Sequence, residues 1–103
     1  MNYYQVTGFV KQLKSKRMKE FKDLEFKTHP MGNGVISRTH FENGYGVSIA
    51  KHEYSYGGKD GLYELAVLKD DEIHYENSVA NGDVRGYLTE EEVNELLKEI
   101  QKF

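Results

Sequence analysis

Four histidines, His29, His40, His52 and His74, are the side chains of this chain best suited to hold a metal ion or move a proton near neutral pH. A helix-borne metal site needs His-x-x-x-His or Glu-x-x-His spacing, and none of the four is so placed. His40 and His52 share one face of a predicted hairpin, but roughly 20 Å apart along the strand, too far to share an ion. All four are therefore read as structural or surface groups. The densest polar stretch is His52-Glu53-Tyr54-Ser55-Tyr56-Gly57-Gly58-Lys59-Asp60-Gly61. A phosphate cradle needs glycines that lead from a strand into a helix N-terminus, where backbone N–H groups and the helix dipole meet the anion. Here the glycines lead into Leu62-Tyr63-Glu64-Leu65, which reads as strand, and the Gly-Lys-Ser/Thr ending is missing. The stretch is predicted to be a long hairpin connection. Within it Tyr54 and Tyr56 are candidate binding contacts, because tyrosine offers large contact area at small entropy cost. The competing expectation is that they fold back on the sheet edge. Glu53, Asp60 and Glu64 suit acid–base chemistry in kind, yet nothing in the sequence singles out a catalytic pair. With no cysteine there is no thiolate nucleophile and no disulfide framework. The chain is read as non-enzymatic, with no catalytic residue, metal site or cofactor.

The elements that position these groups follow from length, charge and periodicity. A chain of 103 residues builds one domain with one modest core. No apolar run approaches the roughly 18 residues of a membrane span, and the start lacks the pattern of a secretory signal, so a cytoplasmic location is expected. The net charge of −3 conceals a gradient. Residues 1–30 carry seven Lys/Arg against three Asp/Glu, residues 31–69 four of each, and residues 70–103 three against ten.

Val6, Phe9, Val10, Leu13, Phe21 and Leu24 recur at helical spacing, which predicts an amphipathic helix over about 3–23. Its other faces carry Lys11, Lys14, Lys16, Arg17, Lys19 and Lys22. Of these, Lys11, Lys14, Arg17 and Lys22 are the candidate contacts for a phosphate-bearing or acidic partner. The alternative is a solvated helix face. His29-Pro30-Met31-Gly32-Asn33-Gly34 breaks the pattern and leads into strands. Val35–Phe41 and Tyr45–Lys51 flank a turn that admits two registers. A bulged three-residue loop with Gly44 left-handed opposes Thr39 to Val47 and Ser37 to Ile49, which gathers the apolar groups on one face and is chosen for that reason. Leu62–Lys69 is apolar on both faces, as a covered central strand should be. Asp70-Asp71 then turns into Glu72–Glu76, with Ile73 opposite Leu68 and Tyr75 opposite Ala66. Finally Thr89-Glu90-Glu91-Glu92 is a capping box, with Leu88 and Val93 as its hydrophobic staple, and Val93, Leu96, Leu97 and Ile100 form the apolar stripe of a helix over about 90–102. The predicted domain is α+β: a three- to four-stranded antiparallel sheet (26–88) flanked by an N-terminal helix (within 1–25) and a C-terminal helix (89–103). The N-terminal helix is expected to pack on the sheet, since one C-terminal helix cannot cover both faces.

Residues 26–103 resemble a family of small, uncharacterised proteins encoded by bacteriophages and prophages. The likeness is carried by Phe26 to Gly34, Asn43-Gly44-Tyr45-Gly46, Ser55-Tyr56-Gly57, Gly61-Leu62-Tyr63-Glu64-Leu65-Ala66-Val67 and Gly86-Tyr87-Leu88-Thr89. That family has no assigned activity, so the resemblance implies a setting, expression inside a bacterial host, and no catalytic residue. Combined with size and charge segregation, it leads to the expectation of a phage accessory protein, monomer or homodimer. It would bind and inhibit a host protein or protein–nucleic-acid complex, an anti-CRISPR-like role, through the basic face or the tyrosine loop. The alternative is a nucleic-acid-binding module that uses the basic N-terminal helix directly.

Overall fold

The computed structural model describes residues 18–30, 33–75, 77, 79–80 and 84–103. Among these residues six strands form one antiparallel sheet: β1 (Lys27–Thr28), β2 (Val35–His40), β3 (Tyr45–Lys51), β4 (Tyr63–Lys69), β5 (Glu72–Ile73) and β6 (Arg85–Leu88). The order is β1-β2-β3-β4, with β5 and β6 both pairing with β4. The helix α1 (Glu90–Gln101) lies across β3, β4 and β6. The domain is α+β, with more strands than the three or four expected. The two-residue β1 and β5 and the glycine-containing β6 are too short to show an alternating pattern of their own.

The hairpin at 41–45 has the bulged register: Thr39 opposes Val47 and Ser37 opposes Ile49. Phe41 N–H donates to the Tyr45 carbonyl at 2.8 Å, and Gly44 N–H to the Phe41 carbonyl at 3.2 Å. Gly44 sits at φ +89°, a region a Cβ would strain. Alternation then places Val47, Ile49, Tyr63, Leu65 and Val67 on one face, all buried beneath Val93, Leu96, Leu97 and Ile100 of α1. Burying side chains of this size is worth roughly 2 kcal/mol each, so this layer is the main source of stability. The helix begins as its sequence dictates. Glu92 N–H donates to Thr89 Oγ1 at 3.1 Å, and Thr89 N–H returns to Glu92 Oε1 at 2.9 Å. Leu88 and Val93, the staple pair, are both buried in the core.

Two expectations need correction. The helix expected over 3–23 does not extend through its last residues. Met18–Glu20 are irregular and Phe21–Asp23 form a single 3₁₀ turn; residues 1–17 lie outside the described residues. The reason is competition for backbone groups. Phe21 N–H donates to Asn94 Oδ1 at 2.8 Å, while Lys19 gives its N–H to Gln101 Oε1 and takes Gln101 Nε2 on its carbonyl. These bonds lay the segment along α1 and swing Phe21 into a cluster with Phe26 and Tyr63, with ring centroids 5.4–5.7 Å apart. The strand expected over 72–76 is also shorter. Ile73 does oppose Leu68, but β5 ends there, and Tyr75 is exposed instead of pairing with Ala66.

Candidate functional site

Of the sequence-predicted contacts, Tyr54 and Tyr56 are placed outward. Their exposures, 72% and 60%, exclude the alternative that they fold back on the sheet edge. Lys22 is exposed on the 3₁₀ turn beside α1. Lys11, Lys14 and Arg17 lie outside the described residues.

The tyrosine loop is built to hold its backbone still. His52 N–H donates to Ser55 Oγ, and Ser55 Oγ donates to the His52 carbonyl, each at 2.9 Å, closing a local ring. Tyr54 N–H donates to His52 Nδ1 at 3.2 Å. Tyr56 is clamped from two sides, its N–H donating to Glu64 Oε1 at 2.9 Å and its carbonyl accepting Tyr87 N–H at 3.0 Å. With both main-chain groups of Tyr56 occupied, its ring is what the loop offers to solvent.

The clamp brings in a residue that periodicity does not reveal. Tyr87 is 60% exposed and adopts φ +58°, a left-handed conformation that costs a side-chain-bearing residue of the order of 1–2 kcal/mol. Its neighbour Gly86 lies so close to Tyr56 Cβ that no side chain fits there. The strain at Tyr87 and the bare backbone at Gly86 let β6 lie against the loop. Tyr87 is thereby joined through its backbone to Tyr56, in the loop that also carries Tyr54. The sequence held one signal for this, a glycine beside an aromatic residue within an otherwise short strand.

A contact between two histidines is likewise not legible in the sequence. The rings of His29 and His52 pack at a tilt of 41° with centroids 4.1 Å apart, joining the turn before β2 to the tyrosine loop. Asn33 Nδ2 reinforces the junction by donating to Glu53 Oε1 at 3.0 Å. His40 stands elsewhere, opposite Gly46 at the far end of β2, with Nε2 3.3 Å from Asp71 Oδ1. Among the described residues no group of three or more His, Cys, Asp or Glu is arranged to hold a metal ion. No described helix is long and apolar enough to cross a membrane.

The sheet face opposite α1 carries a groove of about 270 Å³. It is lined by the small residues Ser48, Ala50 and Ala66 of β3 and β4, by Ile36, Leu68, Ile73 and Val84, and by His29, Glu64 and Arg38; Ala50, Ala66 and Leu68 are buried. Comparison with protein-family models, with curated proteins and with solved structures returns no match.

Proposed function

We propose that the protein is a non-enzymatic binding module that captures and blocks a macromolecule, and that its contact surface is the tyrosine end of the sheet. The carrying observation is the arrangement of Tyr54, Tyr56 and Tyr87: three exposed rings on a backbone fixed by Glu64, Ser55 and Tyr87 itself. Rigid aromatic side chains suit a binding hot spot because little entropy remains to be lost when they are covered. The left-handed conformation of Tyr87 supports the same reading, as strain of this kind concentrates at sites where a side chain must be aimed. The sequence resemblance supplies the setting: a phage accessory protein acting in the host cytoplasm on a host protein or protein–nucleic-acid complex, with a defence nuclease as the anti-CRISPR-like case.

The test is capture from a bacterial host lysate, read by mass spectrometry, for the parent chain and two variants. Replacing Tyr54 and Tyr56 by Ser and Tyr87 by Asn, which tolerates the left-handed region, should abolish capture; losing one hot-spot tyrosine alone costs roughly 2 kcal/mol, or thirtyfold in affinity. Replacing Lys14, Arg17 and Lys22 by Glu should leave capture in place. The reverse pattern, with steeply salt-dependent retention of arbitrary DNA or RNA by the parent chain, would overturn this reading in favour of nucleic-acid binding by the basic segment.

A further inference from the structure

We propose that His52 makes the tyrosine loop pH-sensitive: its neutral ring holds Tyr54 in place, and protonation releases Tyr54 while Tyr56 stays fixed. The proposal rests on the tyrosines forming a contact surface and states how that surface is regulated.

The device is one lone pair. Tyr54 N–H donates to His52 Nδ1 at 3.2 Å, a turn closed by the side chain two residues back. A ring nitrogen accepts only while it is unprotonated, and in the imidazolium both nitrogens are donors. Protonation at Nδ1 therefore sets two donors against each other and breaks the bond. Among the described residues Tyr54 N–H has no second acceptor, and its side chain is exposed, so packing does not replace what is lost. The His52 and Tyr54 ring centroids lie 6.5 Å apart. That is outside the roughly 6 Å reach of a cation–π contact, so the charged ring gains no new hold on the tyrosine.

The rest of the loop does not depend on that nitrogen. The main chain of His52 is closed on Ser55, its N–H donating to Oγ and its carbonyl accepting Ser55 Oγ–H and N–H. Tyr56 is held by Glu64 and Tyr87. Release is confined to Tyr54.

Charge surrounds His52 on several elements. His29 packs on it from the β1–β2 turn, and Glu53 follows it with its carboxylate accepting Asn33 Nδ2. Lys51 precedes it at the end of β3, with Nζ over the Tyr63 ring. Glu64 of β4 reaches the loop at Tyr56. The 3₁₀ turn Gly58–Asp60, whose Gly58 lies against the His52 carbonyl, carries Lys59 and Asp60. The balance of these groups sets the pH at which the ring gains its proton. It does not change the sense of the response, because the bond to Tyr54 exists only in the neutral form. In that form the ring proton sits on Nε2, which leaves neither His52 nitrogen a lone pair with which to ligate a metal beside His29.

The test is NMR on the ¹⁵N-labelled full chain between about pH 8 and pH 5, the range in which histidines change charge. The histidine ring signals are followed together with amide exchange with water, corrected for its intrinsic pH dependence. Protection of the Tyr54 amide should fall about fivefold, the scale of one ordinary hydrogen bond, with the same midpoint as the His52 ring. The Tyr56 amide should keep its protection. His52→Asn offers a non-titrating oxygen to the same N–H, as asparagine does in such turns, and should hold Tyr54 at both ends of the range. His52→Ala should leave it unprotected throughout. The proposal is overturned if Tyr54 stays protected while His52 titrates, if it follows the His29 ring instead, or if Tyr56 loses protection with it. A His52→Asn chain as pH-sensitive as the parent overturns it too. Should a variant not fold, as the core amides of β3 and β4 would show, the titration of the parent decides alone. None of these measurements needs a partner. Loss of lysate capture with an intact Tyr54 response would therefore refute the contact surface and leave the pH response standing.

Discussion

Ser37 offers a test whose sign runs against the usual effect of mutation. It lies on β2 opposite Ile49, is 2% exposed, and its Oγ has no hydrogen-bond partner among the described residues. A hydroxyl buried without a partner costs about 1–3 kcal/mol relative to water. Ser37→Ala removes that penalty together with one oxygen, and the small void left behind returns a fraction of a kcal/mol. The net expectation is stabilisation by about 1 kcal/mol, although most core substitutions destabilise. In urea, with a slope of about 1.5 kcal/mol/M for a domain of this size, the midpoint should rise by about 0.7 M at unchanged slope. Thermal unfolding should shift upward by about 4–8 °C. Ser37→Val, which adds volume beside Ile49, should give back part of the gain through overpacking. A lower midpoint for Ser37→Ala would mean that the hydroxyl is hydrogen-bonded in solution, and would refute the packing described for this face of β2.

Thr89→Ala should cost about 1 kcal/mol by urea denaturation, since it removes the acceptor for Glu92 N–H at the start of α1. The hydrogen bonds from Thr89 hold the Glu92 carboxyl below its ordinary value of 4.5. A carboxyl lowered on folding adds stability that is present above its unfolded value and is lost as pH falls through the folded one. Glu92→Gln should therefore flatten the acid side of the stability–pH curve below about pH 4.5 and leave its slope near neutrality unchanged. At Gly44 a Cβ would meet no other atom within 4 Å, so the cost of substitution is backbone strain alone. Melting temperatures should then order Gly44 above Asn, Ala and Val, with Ala costing about 1 kcal/mol and Val more.

What could be read from the sequence was what local chemistry determines. The capping box at Thr89 involves groups three residues apart, and the 41–45 loop was decided by which face of two adjacent strands is apolar, so both follow from short stretches. The end of the expected N-terminal helix failed because its periodicity is also satisfied by a different path. Phe21 and Leu24 are partly buried against the core from a 3₁₀ turn and an extended residue, drawn there by side chains of α1 more than 70 residues away. The candidate site was half legible. Tyr54 and Tyr56 stand out in a loop rich in glycine, whereas Tyr87 joins them only through the pairing of β6 with β4 and the close approach of Gly86. The ring contact of His29 with His52 was invisible for the same reason, since it joins residues 23 apart in sequence.

The bonds that moor α1 bear on how the chain reaches this state. The helix is tied along its length by partners far away in sequence: Asn94 to Phe21 across 73 residues, Ile100 to Asn43 across 57, and Gln101 to Lys19 across 82. Each closure must be made against the entropy of a long intervening loop, while the capped first turn forms locally. A helix fastened at several levels to separate parts of the chain has no route to detach as an independent unit. Its middle amides should exchange with solvent only when the whole molecule opens, at the same free energy as the central pair β3 and β4. These long-range closures form after the local contacts, so destabilising any one mooring should speed unfolding more than it slows refolding.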